Sequence, residues 1–209
     1  MILVSIAQVD DSGIKTDLDR GLGRLRRGLL DPKTAAQPEG ERLAAVLVPI
    51  FERSGDLHLL YILRSDHVSH RGQVAFPGGR VDPEDQSPMA AALRETHEEV
   101  GIEPAAVEVL GAFPGMRTAT SGIMVAPFAG LIPWPTTLRA NPHEVAEIFS
   151  VPMAVLRDTR YRQTYIWQRD GLEWRFPAIV YDNRPIWGLT YRITMSLIET
   201  MERGRQPIA

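Results

Sequence analysis

One segment of the sequence carries its own signals for the start and end of a helix, and it constrains the fold more than any other. Ser87 is suited to cap free backbone N–H groups, and Pro88 is preorganised for the first helical position. Residues 89–93 are strong helix formers. Gly101 then provides a stop, because a glycine can take the left-handed conformation of a helix end at no steric cost. The sequence therefore predicts a helix of about four turns over 87–100.

An acidic face lies near the end of this helix. Glu95, Glu98 and Glu99 fall within one turn, so their side chains are neighbours on the helix surface. The three carboxylates repel one another, and the helix dipole disfavours negative charge at this end. A solvated acidic surface is one interpretation. The other is a site for Mg²⁺ or Mn²⁺, which prefer carboxylate oxygens and would offset the repulsion.

A glycine turn just before the helix favours the metal site. The turn reads Phe76-Pro77-Gly78-Gly79, and its glycines let the backbone approach a ligand or metal closely. Arg94 stands four residues before Glu98 and is also within reach of an acid ahead of the helix, Glu84 or Asp85. We therefore interpret Arg94 as a residue that orients the carboxylates.

The turn and the helix together resemble the signature of the Nudix hydrolase family. The second half of that signature matches Arg94-Glu95-Thr96-His97-Glu98-Glu99-Val100-Gly101-Ile102, with Thr96 in place of the usual aliphatic residue. In the first half, Gly79 and Asp85 keep the usual gap of five residues, and one extra residue precedes the helix. The resemblance extends over about residues 43–200.

With this extra residue before the helix, the sequence resembles the branch of the family that cleaves coenzyme A. That branch carries an upstream segment, which is similar to Leu60-Tyr61-Ile62-Leu63-Arg64-Ser65 followed by Gly72-Gln73-Val74-Ala75-Phe76-Pro77-Gly78-Gly79. Between Arg64 and Gly72 this chain is one residue shorter than the pattern, and Arg71 stands in for its basic residue.

The expected fold is α+β, because the predicted elements alternate without a regular βαβ rhythm. The resemblance implies a Nudix-type α/β/α sandwich with a mixed central sheet, plus an N-terminal helix. We expect an N-terminal helical extension over 1–40 and a Nudix hydrolase domain over 41–209. The other predicted elements are helices at 14–30 and 188–203, strands at 43–50, 57–63, 107–113, 123–132, 161–169 and 173–180, and a helical turn at 144–149.

The resemblance implies metal-dependent hydrolysis of a pyrophosphate bond in a nucleoside diphosphate linked to another group. Coenzyme A is the most specific substrate expected, with 4′-phosphopantetheine and adenosine 3′,5′-bisphosphate as products. Two alternatives stay open: a pyrophosphatase for ADP-ribose or a dinucleotide, and a nucleotide-binding module without catalysis. Glu95, Glu98 and Glu99 argue against the last, because a sensor has little need of all three.

The resemblance also assigns roles to individual residues. Four groups are expected metal ligands: the carboxylates of Glu95, Glu98 and Glu99 and the Gly79 carbonyl. The base that orients water is either Glu98 or Glu144, and Arg94 supports the catalytic carboxylates. Substrate contacts are expected from Arg64, Arg71, Gly78 and Gly79, with His67 and His70 as weaker candidates in the same loop.

Composition limits the partners and the location. A formal net charge of −3 argues against nucleic-acid binding, and the absence of cysteine removes disulfides, thiolate metal sites and a cysteine nucleophile. No run approaches the ~18 apolar residues that span a bilayer. The apolar start at Met1–Val9 lacks the basic region of a signal peptide. We expect a cytoplasmic protein whose partner is a small nucleotide; a homodimer is left open.

Overall fold

The computed structural model describes residues 11–34, 42–67, 71–118, 122–169 and 171–203. The helices are α1 Asp11–Gly28, α2 Pro88–Val100, α3 Met153–Arg157 and α4 Gly188–Arg203. The strands are β1 Leu43–Arg53, β2 Asp56–Arg64, β3 Val74–Ala75, β4 Gly78–Arg80, β5 Glu108–Ala112, β6 Met116–Arg117, β7 Met124–Leu131, β8 Val145–Pro152, β9 Arg162–Arg169, β10 Leu172–Tyr181 and β11 Arg184–Trp187. His70 lies outside the described residues, as do the start of the chain and most of the segment 31–40.

A mixed sheet forms the centre of the fold, as predicted. Its main order is β3-β2-β1-β7-β5, with β4 beside β1, β6 beside β7 and β8 beside β2. The β1–β7 pair is parallel and the other pairs are antiparallel. The apolar run in β1 fits this place, because a strand at the centre of a sheet is buried on both faces.

Helices cover both faces of the sheet, which confirms the predicted α/β/α sandwich. Successive side chains of a strand point to opposite faces. Leu47 of β1 accordingly packs with Ala91 of α2, whereas Ile50 packs with Leu25 of α1 and Leu197 of α4 on the other side. The helix that carries the acidic residues is therefore held against one face of β1.

The predicted N-terminal helix is present and begins at Asp11, three residues before the predicted start. Leu25 and Leu29 are buried in the same core cluster as α4, and the backbone of Leu30 exchanges hydrogen bonds with Ala112 of β5. The extension thus shares the core of the remaining chain, and its separation as a domain at residue 40 stays a prediction. Within the described part of the chain, no helix is long and apolar enough to cross a membrane.

The predicted helical turn at 144–149 is wrong, because this segment is the start of strand β8. It pairs antiparallel with β2, with Phe149 opposite Tyr61 and Val151 opposite Leu59. Glu144, Ala146 and Glu147 favour helix locally, but an otherwise unpaired edge of β2 offers a full row of backbone hydrogen bonds. Tertiary pairing therefore overrides local propensity here.

A second, three-stranded sheet has the order β11-β10-β9. The predicted hairpin of β9 and β10 is confirmed, with Gly171 in a positive-φ turn. The short strand β11 was not predicted. Its signal is the pair Asp182-Asn183, where both residues have positive φ, as in the two-residue turns that join antiparallel strands.

Candidate active site

The helix α2 begins and ends where its sequence signals predicted. Ser87 is extended and its hydroxyl accepts a hydrogen bond from the Ala90 N–H at 3.1 Å. Gly101 has a φ of 76° and its N–H donates to the His97 carbonyl at 2.9 Å. These caps fix the length of the helix, and the sheet beneath it fixes which side chains face inward.

The glycine turn runs into β4, which pairs with β1 and contacts α2. Gly78 and Gly79 pair with Val46 and Ala45 of β1. Gly78 has a φ of 147°, and a Cβ there would collide with the Ala45 carbonyl. A Cβ on Gly79 would collide with the carboxylate of Glu95. Because neither glycine has a side chain, β4 can lie close to β1, and the Glu95 carboxylate can lie close to β4.

Glu99 is a carboxylate buried at the centre of this contact, with 3% of its surface exposed. Its Oε2 accepts the Gly78 N–H at 2.9 Å, and its Oε1 lies 4.0 Å from Arg64 Nη1. Burial raises the pKa of Glu99 to about 7, although both of these partners lower it, and the charges of Glu95 and Glu144 raise it further. The ionised carboxylate is thus incompletely compensated by the protein.

Glu95 lies one turn earlier and is half-buried. Burial raises its pKa, Arg94 opposes the rise, and the charges of Glu98 and Glu144 add to it. Glu144 comes from the loop before β8, and its carbonyl accepts the Ser65 N–H at 2.9 Å. The structure therefore brings Glu144 within electrostatic reach of Glu95 and Glu99, and its role as a base stays a prediction.

Arg94 joins the acidic face to the loop ahead of the helix. Its guanidinium binds Asp85 with two hydrogen bonds of 3.0 and 2.9 Å, which hold the pKa of Asp85 below its usual range. Its Nη1 also donates to Glu95 at 3.0 Å and to Glu98 at 3.2 Å. The acid ahead of the helix is therefore Asp85, in agreement with the motif position assigned to it from the sequence.

The donor set suits a hard divalent cation. Among the described residues, no three acidic or histidine side chains already converge into a cluster that would enclose an ion. Mg²⁺, however, usually takes one or two protein carboxylates and completes its shell with waters and substrate phosphates. Glu95 and Glu99 supply two carboxylates beside Gly79, and burial together with the charges of neighbouring glutamates raises the pKa of both, an unfavourable arrangement that a cation would offset. Glu98 is more exposed and is held by Arg94.

The structure places some of the predicted substrate contacts beside the glutamates and leaves the others exposed. Arg64 ends β2 beside Glu99, and Gly78 and Gly79 lie against the buried glutamates. Arg71 is exposed in the turn after this strand, and no contact within the described residues links it to the glutamates. His67 is also exposed, and its N–H donates to the Ser65 hydroxyl at 3.3 Å.

Sequence reasoning missed the residue that positions the loop of Glu144. Ser65 is buried, and its hydroxyl donates to the His143 carbonyl at 2.6 Å. Together with the backbone bond from Ser65 to Glu144, this contact ties the loop to the end of β2. The signal was the position of Ser65 directly after Arg64 in the upstream segment.

Comparison with known proteins identifies the family. The family model for the NUDIX domain matches residues 41–174, which is more than half of the chain. The chain belongs to the Nudix family. Nudix hydrolases act on nucleoside diphosphate derivatives and generally use divalent metal ions, so this chain is a pyrophosphohydrolase that acts on phosphorus-containing anhydrides.

Similar Nudix proteins cover nearly the whole chain. A protein of Enterobacter sp. (strain 638), named uncharacterized Nudix hydrolase NudL, is 41% identical over 192 residues, which are 91% of this chain and 96% of that protein. The protein of the same name from Escherichia coli (strain K12 / DH10B) is 42% identical over 182 residues, 86% of this chain and 92% of its own length. Among solved structures, a MutT/nudix family protein from Enterococcus faecalis shares the fold with a TM-score of 0.50 at 19% identity, over 92% of this chain and 73% of that chain.

Proposed function

We propose that this Nudix hydrolase cleaves the pyrophosphate of coenzyme A and releases 4′-phosphopantetheine and adenosine 3′,5′-bisphosphate. One observation carries the proposal. Arg64 belongs to the upstream segment that resembles the coenzyme A branch, and it lies 4.0 Å from Glu99 of the pyrophosphatase motif. Residues of the two motifs, which are 35 positions apart (99 minus 64), therefore meet at one site.

The reaction adds one water across a phosphoric anhydride. The oxygen of water bonds to one phosphorus, the bond from that phosphorus to the bridging oxygen breaks, and the two protons of water are distributed between the base and the product phosphates. Glu95, Glu99 and the Gly79 carbonyl would hold Mg²⁺ or Mn²⁺. When bound, the cation would offset the charge on the pyrophosphate oxygens.

Glu144 and Glu98 are the two candidates for the group that orients the attacking water. Glu98 Oε2 is hydrogen-bonded to Arg94 at 3.2 Å, which reduces its freedom to accept a proton. The charge of Glu144 acts on both Glu95 and Glu99. We therefore place Glu144 first in this role and Glu98 second, with Glu98 also available as a further metal ligand.

Arg64 and the glycine turn are the proposed contacts to the cleaved pyrophosphate. A guanidinium offers two parallel hydrogen bonds to phosphate oxygens, and a glycine backbone lets phosphate approach without a clash. Arg71 is assigned to a more distant part of the substrate, because it lies exposed beyond the end of β2. Arg94 positions the carboxylates and does not touch the substrate.

The test compares turnover of coenzyme A, ADP-ribose and diadenosine tetraphosphate with Mg²⁺ and with Mn²⁺. We expect coenzyme A to have the highest kcat/KM and to yield the two products named above, identified by mass. The Glu99→Gln protein, prepared in parallel, excludes a contaminating hydrolase. A preference for ADP-ribose or for the dinucleotide would overturn the assignment of coenzyme A, and inactivity on all three substrates would favour a nucleotide-binding module.

Three further expectations remain proposals. They are the helical extension over 1–40, the cytoplasmic location and a homodimer. The packing of α1 against α4 predicts that removal of residues 1–40 takes Leu25 and Leu29 out of the core cluster, exposes Leu197 and destabilises the chain.

A further inference from the structure

An open cleft of about 500 Å³ lies at the start of α2, away from the acidic face. It is bounded by the loop ahead of the helix and by the residues that precede β1 and β7. The residues that matter for its chemistry are Arg42, Arg80, Asp82, Asp85 and Ser87. None of the roles assigned so far uses Arg42 or Arg80.

The central strand gives the distance from this cleft to the buried glutamates. Gly79, which contacts Glu95, pairs with Ala45 of β1. Arg42 precedes Ala45 by three residues along the same stretch of chain, and a strand advances about 3.3 Å per residue. The cleft therefore begins about 10 Å from the proposed metal site. Arg80 follows Gly79 directly, so it lies between the proposed metal site and the cleft.

Three arginines, Arg42, Arg80 and Arg94, and two acids, Asp82 and Asp85, lie in or beside the cleft. Its two acids, Asp82 and Asp85, both lie near Arg94 Nη2, at 3.4 and 2.9 Å. Arg42 and Arg80 are exposed, and neither forms an ion pair with any side chain in the described ranges. Among the described residues, these two guanidinium groups have no carboxylate partner of their own, whereas both carboxylates on the cleft wall contact Arg94.

We propose that this cleft binds a phosphomonoester carried by the substrate, separate from the pyrophosphate that is cleaved. The proposal rests on the proposed function and deepens it. Coenzyme A carries such a group on the 3′ oxygen of its ribose, one sugar away from the pyrophosphate, whereas ADP-ribose and diadenosine compounds lack it. A cleft of 500 Å³ is within the range that accommodates small-molecule ligands. Arg42 and Arg80 are then the residues that select the substrate.

Steady-state kinetics with a matched pair of substrates tests this assignment. Coenzyme A and dephospho-coenzyme A differ only in the 3′-phosphate, and both are offered with Mg²⁺ to the full chain. We expect the Arg42→Ala/Arg80→Ala protein to have a KM for coenzyme A raised about tenfold to hundredfold, because charge-assisted contacts to phosphate are lost. Its kcat for coenzyme A and its kcat/KM for dephospho-coenzyme A should stay within about twofold of the unaltered protein.

Arg175→Ala serves as the control. Arg175 is an exposed arginine of β10 that pairs with Glu173, far along the chain from the cleft. This variant should leave both substrates unaffected. An equal loss for the two substrates in the double variant, or no loss for either, would overturn the assignment.

Product inhibition shows whether the cleft binds a phosphate of the substrate or an unrelated anion. Adenosine 3′,5′-bisphosphate should compete with coenzyme A and should bind more tightly than adenosine 5′-phosphate. Calorimetric titration of the two nucleotides should show that the double variant removes this difference. Non-competitive inhibition would mean that the cleft holds a separate anion, which contradicts the proposal.

The unaltered protein distinguishes failure of this inference from failure of the proposed function. If it prefers coenzyme A over dephospho-coenzyme A and the double variant keeps that preference, only the role of the cleft is wrong. If the unaltered protein does not prefer coenzyme A over ADP-ribose, the proposed substrate and the cleft assignment are both wrong.

Discussion

Helix α2 has two ends with opposite electrostatic character. Its C-terminal half presses Glu95 and Glu99 against the Gly78–Arg80 strand, where burial raises the pKa of both carboxylates. Its N-terminal end faces a cleft in which Arg42 and Arg80 have no carboxylate partner among the described residues. The first end has buried carboxylates that a cation would offset, and the second has two arginines that we propose bind a phosphate. A nucleotide with a phosphomonoester and a bound divalent cation would suit both ends, as the proposed function requires.

Arg94 lies between the two ends of the helix and forms hydrogen bonds with residues of both. Its bidentate contact with Asp85 holds the loop that forms the cleft, and its contacts with Glu95 and Glu98 hold the acidic face. Such a multiply bonded guanidinium fixes geometry through several charge-assisted hydrogen bonds at once. The comparison therefore predicts large catalytic effects at the acidic end and effects on metal affinity at Arg94.

The largest expected effect comes from Glu99→Gln. Glutamine still accepts the Gly78 N–H but has no negative charge for a cation, so we expect kcat with Mg²⁺ to fall at least about a thousandfold while the circular dichroism spectrum is retained. Glu103→Gln, which alters an exposed acid just after the helix, should have normal kcat. Near-normal turnover by Glu99→Gln would remove Glu99 from the metal site.

Gly79→Ala tests whether the close approach of strand and carboxylate matters for catalysis. The added methyl group would occupy the position of the Glu95 carboxylate, which must then move. A displacement of about 1 Å at a catalytic group costs on the order of a hundredfold in rate, and we expect that loss in kcat. Gly23→Ala in α1 is the control, because its Cβ meets only the flexible end of Arg27 at 3.4 Å. Unchanged kcat in Gly79→Ala would mean that Glu95 is not a ligand in its present position.

Arg94→Lys tests the connection between the two ends. Lysine keeps the charge but loses the bidentate contact with Asp85, so the carboxylates are less well oriented for an ion. Outer partners of metal ligands typically contribute 10- to 100-fold to metal affinity, and we expect the Mg²⁺ concentration for half-maximal activity to rise by about that factor. At saturating Mg²⁺ the kcat should recover. A fall in kcat that Mg²⁺ does not reverse would instead assign Arg94 to the reacting atoms.

The helix α2 was predictable from sequence because its signals are local. Ser87, Pro88 and Gly101 act within a few residues of themselves, and the structure confirms each one. Thr96 in an aliphatic motif position is also explained locally, since its buried hydroxyl donates to the Ala92 carbonyl one turn earlier at 2.6 Å and leaves no polar atom without a partner.

Strand β8 and the cleft were not predictable, because each depends on distant segments. The stretch Val145–Pro152 becomes a strand through its pairing with β2, which ends more than 80 residues earlier (145 minus 64). The cleft combines residues that precede β1 and β7 with the loop ahead of α2. The sequence also does not show that Asp82 and Asp85 both contact Arg94, whereas Arg42 and Arg80 have no carboxylate partner among the described residues.

The smallest expected effect concerns stability. In the folded protein the pKa of Glu99 is about 7, above the ordinary value of 4.5 that applies to the unfolded chain. The folded state therefore binds the proton more strongly, and its stability falls as pH rises from 4.5 through 7. Without metal at pH 8, Glu99→Gln should be more stable than the unaltered protein by about 1–3 kcal/mol, or several degrees in Tm.

The same two proteins should melt within about one degree of each other at pH 5, because the Glu99 carboxyl is then largely protonated in the folded state. Added Mg²⁺ should raise the Tm of the unaltered protein at pH 8 and leave that of Glu99→Gln nearly unchanged, since a ligand stabilises only the folded state that binds it. Equal Tm values at pH 8 without metal would show that the acidic end of α2 is compensated by the protein itself. The two ends of the helix would then differ only in the open cleft at the N-terminal end.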